Sequence, residues 1–177
     1  MSAALTLGWR AGGRASPRST RKPGCRMKQA RLDSTAMALF RGGLVLWVGG
    51  AWLFSAVVLP SLFAGLERSM AGDVAALVFP AYYRLGLGSG VAALLGAGWM
   101  ARGDRSWAIV VVVLMIMLAC QGWALFVLQP HMAELRGLES ARAEFMKLHG
   151  WSMALNTVVL LSGSGLVLFG GRFFGRR

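Results

Sequence analysis

Trp107 to Leu128 reads WAIVVVVLMIMLACQGWALFVL, and not one Asp, Glu, Lys, Arg or His interrupts the chain between Arg105 and His131. Crossing the hydrocarbon of a bilayer takes roughly 20 apolar residues as a helix. Backbone groups in lipid must be satisfied within their own segment, and the stretch lacks the alternation of polar and apolar residues that a barrel strand needs. It is therefore expected to be a membrane-spanning helix. Working outward, the runs from Arg41 to Glu67 and from His149 to Arg172 are equally free of ionisable residues, and a shorter clean run lies between Arg84 and Arg102. That run reaches spanning length if Arg84 snorkels to the interface. Spans are expected at Ala38 to Leu62, Tyr82 to Ala101, Trp107 to Leu128 and His149 to Phe169. The fold class that follows is all-α: an integral membrane four-helix bundle, up-down-up-down, with a short amphipathic helix in each outward-facing connection.

Composition agrees. With 56% hydrophobic and 15% charged residues in 177 and a mean hydropathy of +0.57, polar surface is too scarce to cover a soluble core, and the lipid bilayer becomes the first expected partner. The net charge of +12 is concentrated outside the apolar runs. Arg10, Arg14, Arg18, Arg21, Lys22, Arg26, Lys28 and Arg31 precede the first run, Arg102 and Arg105 flank Asp104, and Arg172, Arg176 and Arg177 close the chain. In the other two connections Glu67 and Asp73 offset Arg68 and Arg84, while Glu134, Glu139 and Glu144 offset Arg136, Arg142 and Lys147. Basic residues stay on the cytoplasmic side. Both termini and the short middle connection are thus expected in the cytoplasm, in a bacterial inner membrane. No nucleic-acid partner is expected, because the basic residues are not interleaved with aromatics on a folded surface.

Three units follow: a basic, disordered tail at residues 1–36, a four-span domain at 37–171 and a basic tail at 172–177. The N-terminal tail also has the composition of an organelle transit peptide, although Gly12, Gly13, Pro17 and Pro23 spoil an amphipathic helix. Translation starting at Met27 or Met37 would leave only a short basic lead. Cys25 and Cys120, one in the tail and one in a span, define no disulfide framework.

Lipid gives helices no hydrophobic reason to associate, so small residues on one face mark contacts. Gly42, Gly49 and Ala56 recur every seventh residue in the first span; Gly86, Gly90, Ala93 and Ala97 line the second; Gly163 and Gly170 lie in the fourth. The run Gly86-Leu87-Gly88-Ser89-Gly90 lacks the spacing and the preceding strand of a nucleotide loop and reads as helix packing. Ser69 to Phe79 suits a short helix with Asp73 near its start, ended by Pro80 before an aromatic belt of Tyr82 and Tyr83. Met132 to Leu148 reads as an interfacial helix or an extension of the fourth span.

Polar groups are costly inside membranes, so their alignment is informative. At about 100° per residue, Met146, His149, Ser152, Met153, Asn156 and Gly163 fall within about 120° of arc. Two readings stay open. Ser152 and Asn156 can hydrogen-bond between helices while Met fills gaps. Alternatively Met146, His149 and Met153 form a soft metal-ligand set suited to Cu(I), with His131, Met132 and Cys120 nearby. No catalytic pair, nucleophile elbow or phosphate loop is present, and no enzyme activity is expected.

The segments Gly49-Gly50-Ala51-Trp52, Leu62-Phe63, Ala71-Gly72-Asp73-Val74, Phe79-Pro80-Ala81-Tyr82-Tyr83, Pro130, Phe145-Met146-Lys147-Leu148-His149-Gly150 and Asn156 resemble the transmembrane protein 205-like family, also described as domain of unknown function 4149. The resemblance covers about Leu44 to Phe169. It implies a small four-span membrane protein and carries no established enzyme activity, with Pro80, Tyr82, His149 and Asn156 as motif positions. Eukaryotic members are associated with resistance to platinum drugs. Members can carry a His in the first span, where this chain has only apolar residues and Gly from Gly42 to Phe54. The function expected is soft-metal or small-solute tolerance or transport. An assembly or scaffold subunit, binding another copy or a partner membrane protein, is the alternative, and a haem- or quinone-binding redox subunit a third.

Overall fold

In a computed structural model, residues 23–174 are described, the side chains of Pro23, Cys25 and residues 170–174 excepted. The expectations for the basic residues up to Lys22 and for residues 175–177 lie outside them, as does that for the side chain of Cys25. Every regular element among the described residues is helical. Four long rods result. The first joins α1 (Pro23–Leu53), a π-helical turn (Phe54–Val58) and α2 (Leu59–Gly65); the second is α3 (Arg68–Ala101). The third joins α4 (Trp107–Trp123), a second π-helical turn (Ala124–Leu128) and α5 (Gln129–Leu135), and the fourth is α6 (Arg142–Phe174), entered through a 3₁₀ turn at Glu139–Ala141.

Both π turns stand in the same local context, just before a proline. Pro60 and Pro130 each stand one residue beyond the turn's closure, where Leu59 N–H reaches back to the Phe54 carbonyl and Gln129 N–H to the Ala124 carbonyl. Proline brings no N–H, and its ring collides with the carbonyl four residues earlier. Widening the preceding turn moves that carbonyl aside while keeping the rod continuous.

Three rods are long and apolar enough to cross a membrane, at Arg26–Gly65, Trp107–Leu135 and Glu139–Phe169. With 34 residues α3 is as long as its neighbours, but its glycines, Pro80, Tyr82, Tyr83 and Arg84 dilute its hydropathy. Those glycines are what let it sit close to two partners. A Cβ on Gly43 would stand 2.5 Å from the Ser89 carbonyl oxygen and 2.7 Å from Ala93 N. One on Gly96 would strike the Ala36 carbonyl. Gly90 admits Trp47 from α1 and Leu118 from α4. Around the bundle the order is α1, α3, α4, α6, with α6 closing against α1. The inner core is Phe40, Leu44, Trp47, Val48, Ala93, Ala97, Trp107, Val110, Leu114, Met117 and Val159.

Several sequence expectations are corrected. Gly42, Gly49 and Ala56 are exposed, one residue out of register with the contact face of α1, which carries Ala36, Phe40, Gly43, Trp47 and Ala51. Helix α1 already begins at Pro23, inside the segment assigned to a disordered tail. Lys28, Gln29, Ala30, Arg31 and Leu32 are good helix formers, and the Trp99 indole donates to the Asp33 carboxylate at 3.0 Å, tying this extension to the end of α3. Pro80 does not end a separate helix; α3 runs through it without a break. Among the described residues the two connections expected to face outward contain no separate amphipathic helices. One is a tight turn around Leu66, and the residues after Met132 prolong the third and fourth rods on either side of a short turn at Gly137 (φ 82°). Tyr82 and Tyr83 form no interfacial belt, being 8% and 2% exposed.

Candidate functional site

The polar residues of α6 meet those of α3 and the first π turn in one buried cluster. Tyr82 donates its hydroxyl proton to the Asn156 amide oxygen at 2.7 Å. The Asn156 amide nitrogen in turn donates to the Ser55 hydroxyl at 3.2 Å. One turn earlier on α6, the hydroxyls of Tyr83 and Ser152 lie 3.1 Å apart. The Gln129 side chain reaches the same Tyr83 hydroxyl. Together these groups come from all four helical rods, which are thus tied at one level.

Aromatic packing frames the cluster. Phe54 stacks on Tyr82 with centroids 4.5 Å apart and planes 11° from parallel, and Phe79 stacks on Tyr83 at 5.9 Å. Ala51, Ala124 and Leu125 close it from the first and third rods. Both π turns therefore abut the site: Phe54 and Ser55 come from one, Ala124 and Leu125 from the other. Wide turns of this kind recur at functional sites because they re-aim side chains that an α-helix would direct elsewhere.

A second polar pair lies deeper. Gln121 is 2% exposed and Trp47 1%, and neither Gln121 Nε2 nor Trp47 Nε1 has a hydrogen-bond partner among the described residues. Both groups press on Gly86, where any Cβ would strike the Gln121 amide. Sequence reasoning named Gly86 as a packing position and missed Gln121, the only amide side chain between Arg105 and Leu128. Its isolation within an apolar run was the available signal.

The proposed metal set divides. His149 is half-buried and stacks on Phe145 with centroids 6.2 Å apart. Met146 and Met153, 57% and 60% exposed, point out of the bundle. Met132 is buried, whereas His131 is exposed and stands 3.7 Å from Glu144. Among the described residues no group of three or more His, Cys, Asp or Glu side chains is arranged to hold a metal. Beyond the cluster, Arg136 donates to the Gly72 carbonyl at 2.9 Å and to the Asp73 carboxylate at 3.3 Å, pinning the Leu135 end of the third rod to α3. A cleft of about 210 Å³ opens beside it, lined by Leu135, Arg136, Gly137, Leu138, Glu139, Arg142 and Phe145.

Residues 43–141, from the glycine contact on α1 to the turn before α6, match the Domain of unknown function (DUF4149). The chain belongs to the DUF4149 family. An uncharacterized protein of Aquifex aeolicus (strain VF5) is 35% identical over 138 residues, covering 77% of this chain and 94% of that relative. No solved structure matches. The DUF4149 match contains Ser55, Tyr82, Tyr83, Gln121 and Gln129 but stops before Ser152 and Asn156. The matched region thus supplies the tyrosines and the Ser55 end of the network, and α6 supplies the groups that join them.

Proposed function

We propose that this DUF4149 protein is a non-catalytic, four-span assembly subunit of the membrane, with up-down-up-down topology and both termini in the cytoplasm. The carrying observation is the uncovered stripe on α1. Gly42, Gly49 and Ala56 are exposed, and nothing stands within 4 Å of a Cβ added at Gly42 or Gly49. Small residues at this spacing let a second transmembrane helix approach closely. Within the chain this work is done by Gly43 and Gly96 instead, leaving the stripe available to another copy or a partner membrane protein. The polar groups of the Tyr82 cluster are engaged with one another and act to fix the shape of the subunit.

Purification in mild detergent followed by mass photometry tests the reading. Wild-type protein is expected to run as an oligomer or with a bound membrane protein, and Gly42→Leu/Gly49→Leu to run alone. A wild-type chain that is monomeric and unaccompanied removes the assembly role. Reporter fusions are expected to place residues 103 and 177 in the cytoplasm and residues 67 and 137 outside; any other pattern overturns the topology, in which α3 spans despite its lower hydropathy.

A second reading, soft-metal handling, is favoured by the position of Met146, His149 and Met153 on successive turns of α6 outside the hydrogen-bonded network, and by the likeness to the transmembrane protein 205-like family. Cells producing the chain would then accumulate or tolerate copper or platinum differently from cells producing His149→Ala/Met153→Ala, and equal behaviour removes the idea. A purified protein without a Soret band removes haem.

A further inference from the structure

Two arginines, Arg41 on α1 and Arg84 on α3, are exposed on the apolar surface of the bundle, and neither has a hydrogen-bond or ion-pair partner among the described residues. Their depth follows from the helix register. Gly43 faces Ser89 and Ala93, and Gly96 faces Ala36 and Phe40, so the two helices run in opposite senses and Arg41 stands level with about Ala93. Along α3 the charges that bound the apolar belt are Asp73 and Arg102. At 1.5 Å per residue they are about 43 Å apart, with Arg84 about 16 Å from Asp73 and the level of Arg41 about 14 Å from Arg102. A hydrocarbon layer of about 30 Å placed anywhere inside that belt contains both arginines.

Their combined burial is fixed too. The two levels are about 14 Å apart, so the depth of Arg84 from the outer edge and that of Arg41 from the inner edge sum to about 16 Å, wherever the layer lies. Extended arginine side chains reach roughly 7 Å each when they snorkel. The two together cover nearly all of that depth, and local thinning of the bilayer by a few Å covers the rest.

We propose that Arg84 and Arg41 each bind a phospholipid phosphate, Arg84 in the outer leaflet and Arg41 in the inner, and that they thin the bilayer around the α1–α3 pair. The planar guanidinium suits bidentate contact with phosphate oxygens. A second copy of the chain cannot supply a counter-charge instead. Its acids, Asp33, Glu67, Asp73, Asp104, Glu134, Glu139 and Glu144, all lie at or beyond the ends of the belt. The inference rests on α3 spanning the membrane, and does not need the assembly role.

Native mass spectrometry after reconstitution in phosphatidylcholine with phosphatidylglycerol, and partial delipidation, tests it. Wild-type protein is expected to retain two phospholipids per chain, Arg84→Leu and Arg41→Leu one each, the double variant none and Arg105→Leu two. Arg84→Lys, which keeps the charge but not the fork, is expected to retain the lipid weakly. Both Leu variants replace lipid-exposed residues and keep the wild-type melting temperature. Tryptophan quenching by brominated phosphatidylcholines gives a second measure: wild-type protein prefers short acyl chains, and the double variant shifts to longer ones. Unchanged lipid retention and chain-length preference in the double variant overturn the proposal. So does loss of a copurifying protein, rather than of lipid, in Arg84→Leu, because a partner's carboxylate is then the counter-charge. Failure of the topology itself is distinguishable, since reporters at residues 67 and 103 would then report the same side of the membrane.

Discussion

The 2.7 Å hydrogen bond from the Tyr82 hydroxyl to the Asn156 amide oxygen joins α3 to α6, two helices at opposite corners of the bundle. Their backbones are held apart by α1 and α4, and it is the length of the tyrosine that bridges the interior. Asn156 then passes the connection to Ser55 in the first π turn. Interhelical hydrogen bonds in membranes average about 0.6 kcal/mol and reach about 1.7 kcal/mol. Tyr82→Phe and Asn156→Leu are each expected to destabilise the bundle by about 1 kcal/mol, measured by unfolding in mixed micelles of mild detergent and dodecyl sulfate. In a double-mutant cycle the two effects overlap, because either change removes the same bond. Strict additivity would show that the hydroxyl contributes nothing across the interior.

The two glycine registers on α1 make opposite predictions at neighbouring positions. At Gly43 a side chain runs into the backbone of α3, which cannot yield as a flexible side chain can. Gly43→Val is expected to cost about 1–3 kcal/mol by overpacking. Gly42→Ala meets open space and, within the single chain, is expected to be neutral or slightly stabilising, since alanine is the better helix former by about 1 kcal/mol. Equal effects of the two in the same micelle titration would mean that the α1–α3 contact is misaligned.

How much of this was legible in the sequence depends on the kind of signal. The apolar runs identified helices because charge is excluded from hydrocarbon, and all four appear. Contact faces were legible only where small residues were dense: Gly86, Gly90, Ala93 and Ala97 are buried as their spacing implied. On α1, adjacent glycines at Gly42-Gly43 and Gly49-Gly50 offered two faces, and spacing alone could not choose between them. Pro80 misled because a proline that ends an isolated helix can be carried where neighbouring helices hold the rod together. The alignment of Ser152 with Asn156 was visible in the helical period. Tyr82 was marked only as a motif position of the family resemblance, and the partners Ser55 and Tyr83 were not marked as such, since these lie on other helices and two π turns shift the phase of the first and third rods.

The extension of α1 beyond the first apolar run depends on a single side-chain contact that can be removed. Asp33 accepts from the Trp99 indole at 3.0 Å and from Gln29, four residues before it, at 3.3 Å. The first bond crosses to α3 and the second is local. Asp33→Ala is expected to speed amide exchange across residues 26–36 by about fivefold, equivalent to about 1 kcal/mol for one hydrogen bond. Gln29→Ala should leave it unchanged. Equal exchange in all three proteins would assign the order of this segment to the packing of Ala36 and Phe40 against Gly96 alone.

The π turn beside the tyrosines has two competing causes, and one substitution separates them. If Pro60 enforces the turn, Pro60→Ala restores a donor to the Ala56 carbonyl and lets the segment tighten to an α-helix. Tightening removes the extra residue from the turn, rotates Phe54 relative to α2 by about 100° and breaks its stack on Tyr82, which stands at 4.5 Å. Near-ultraviolet circular dichroism is then expected to lose tyrosine signal while far-ultraviolet helicity is unchanged. Retention of the near-ultraviolet spectrum would mean that the aromatic cluster itself holds the turn open. Pro130→Ala gives the internal comparison, because the turn before it contributes only Ala124 and Leu125 to the cluster. With no ring to withdraw, it is expected to perturb the tyrosine signal less.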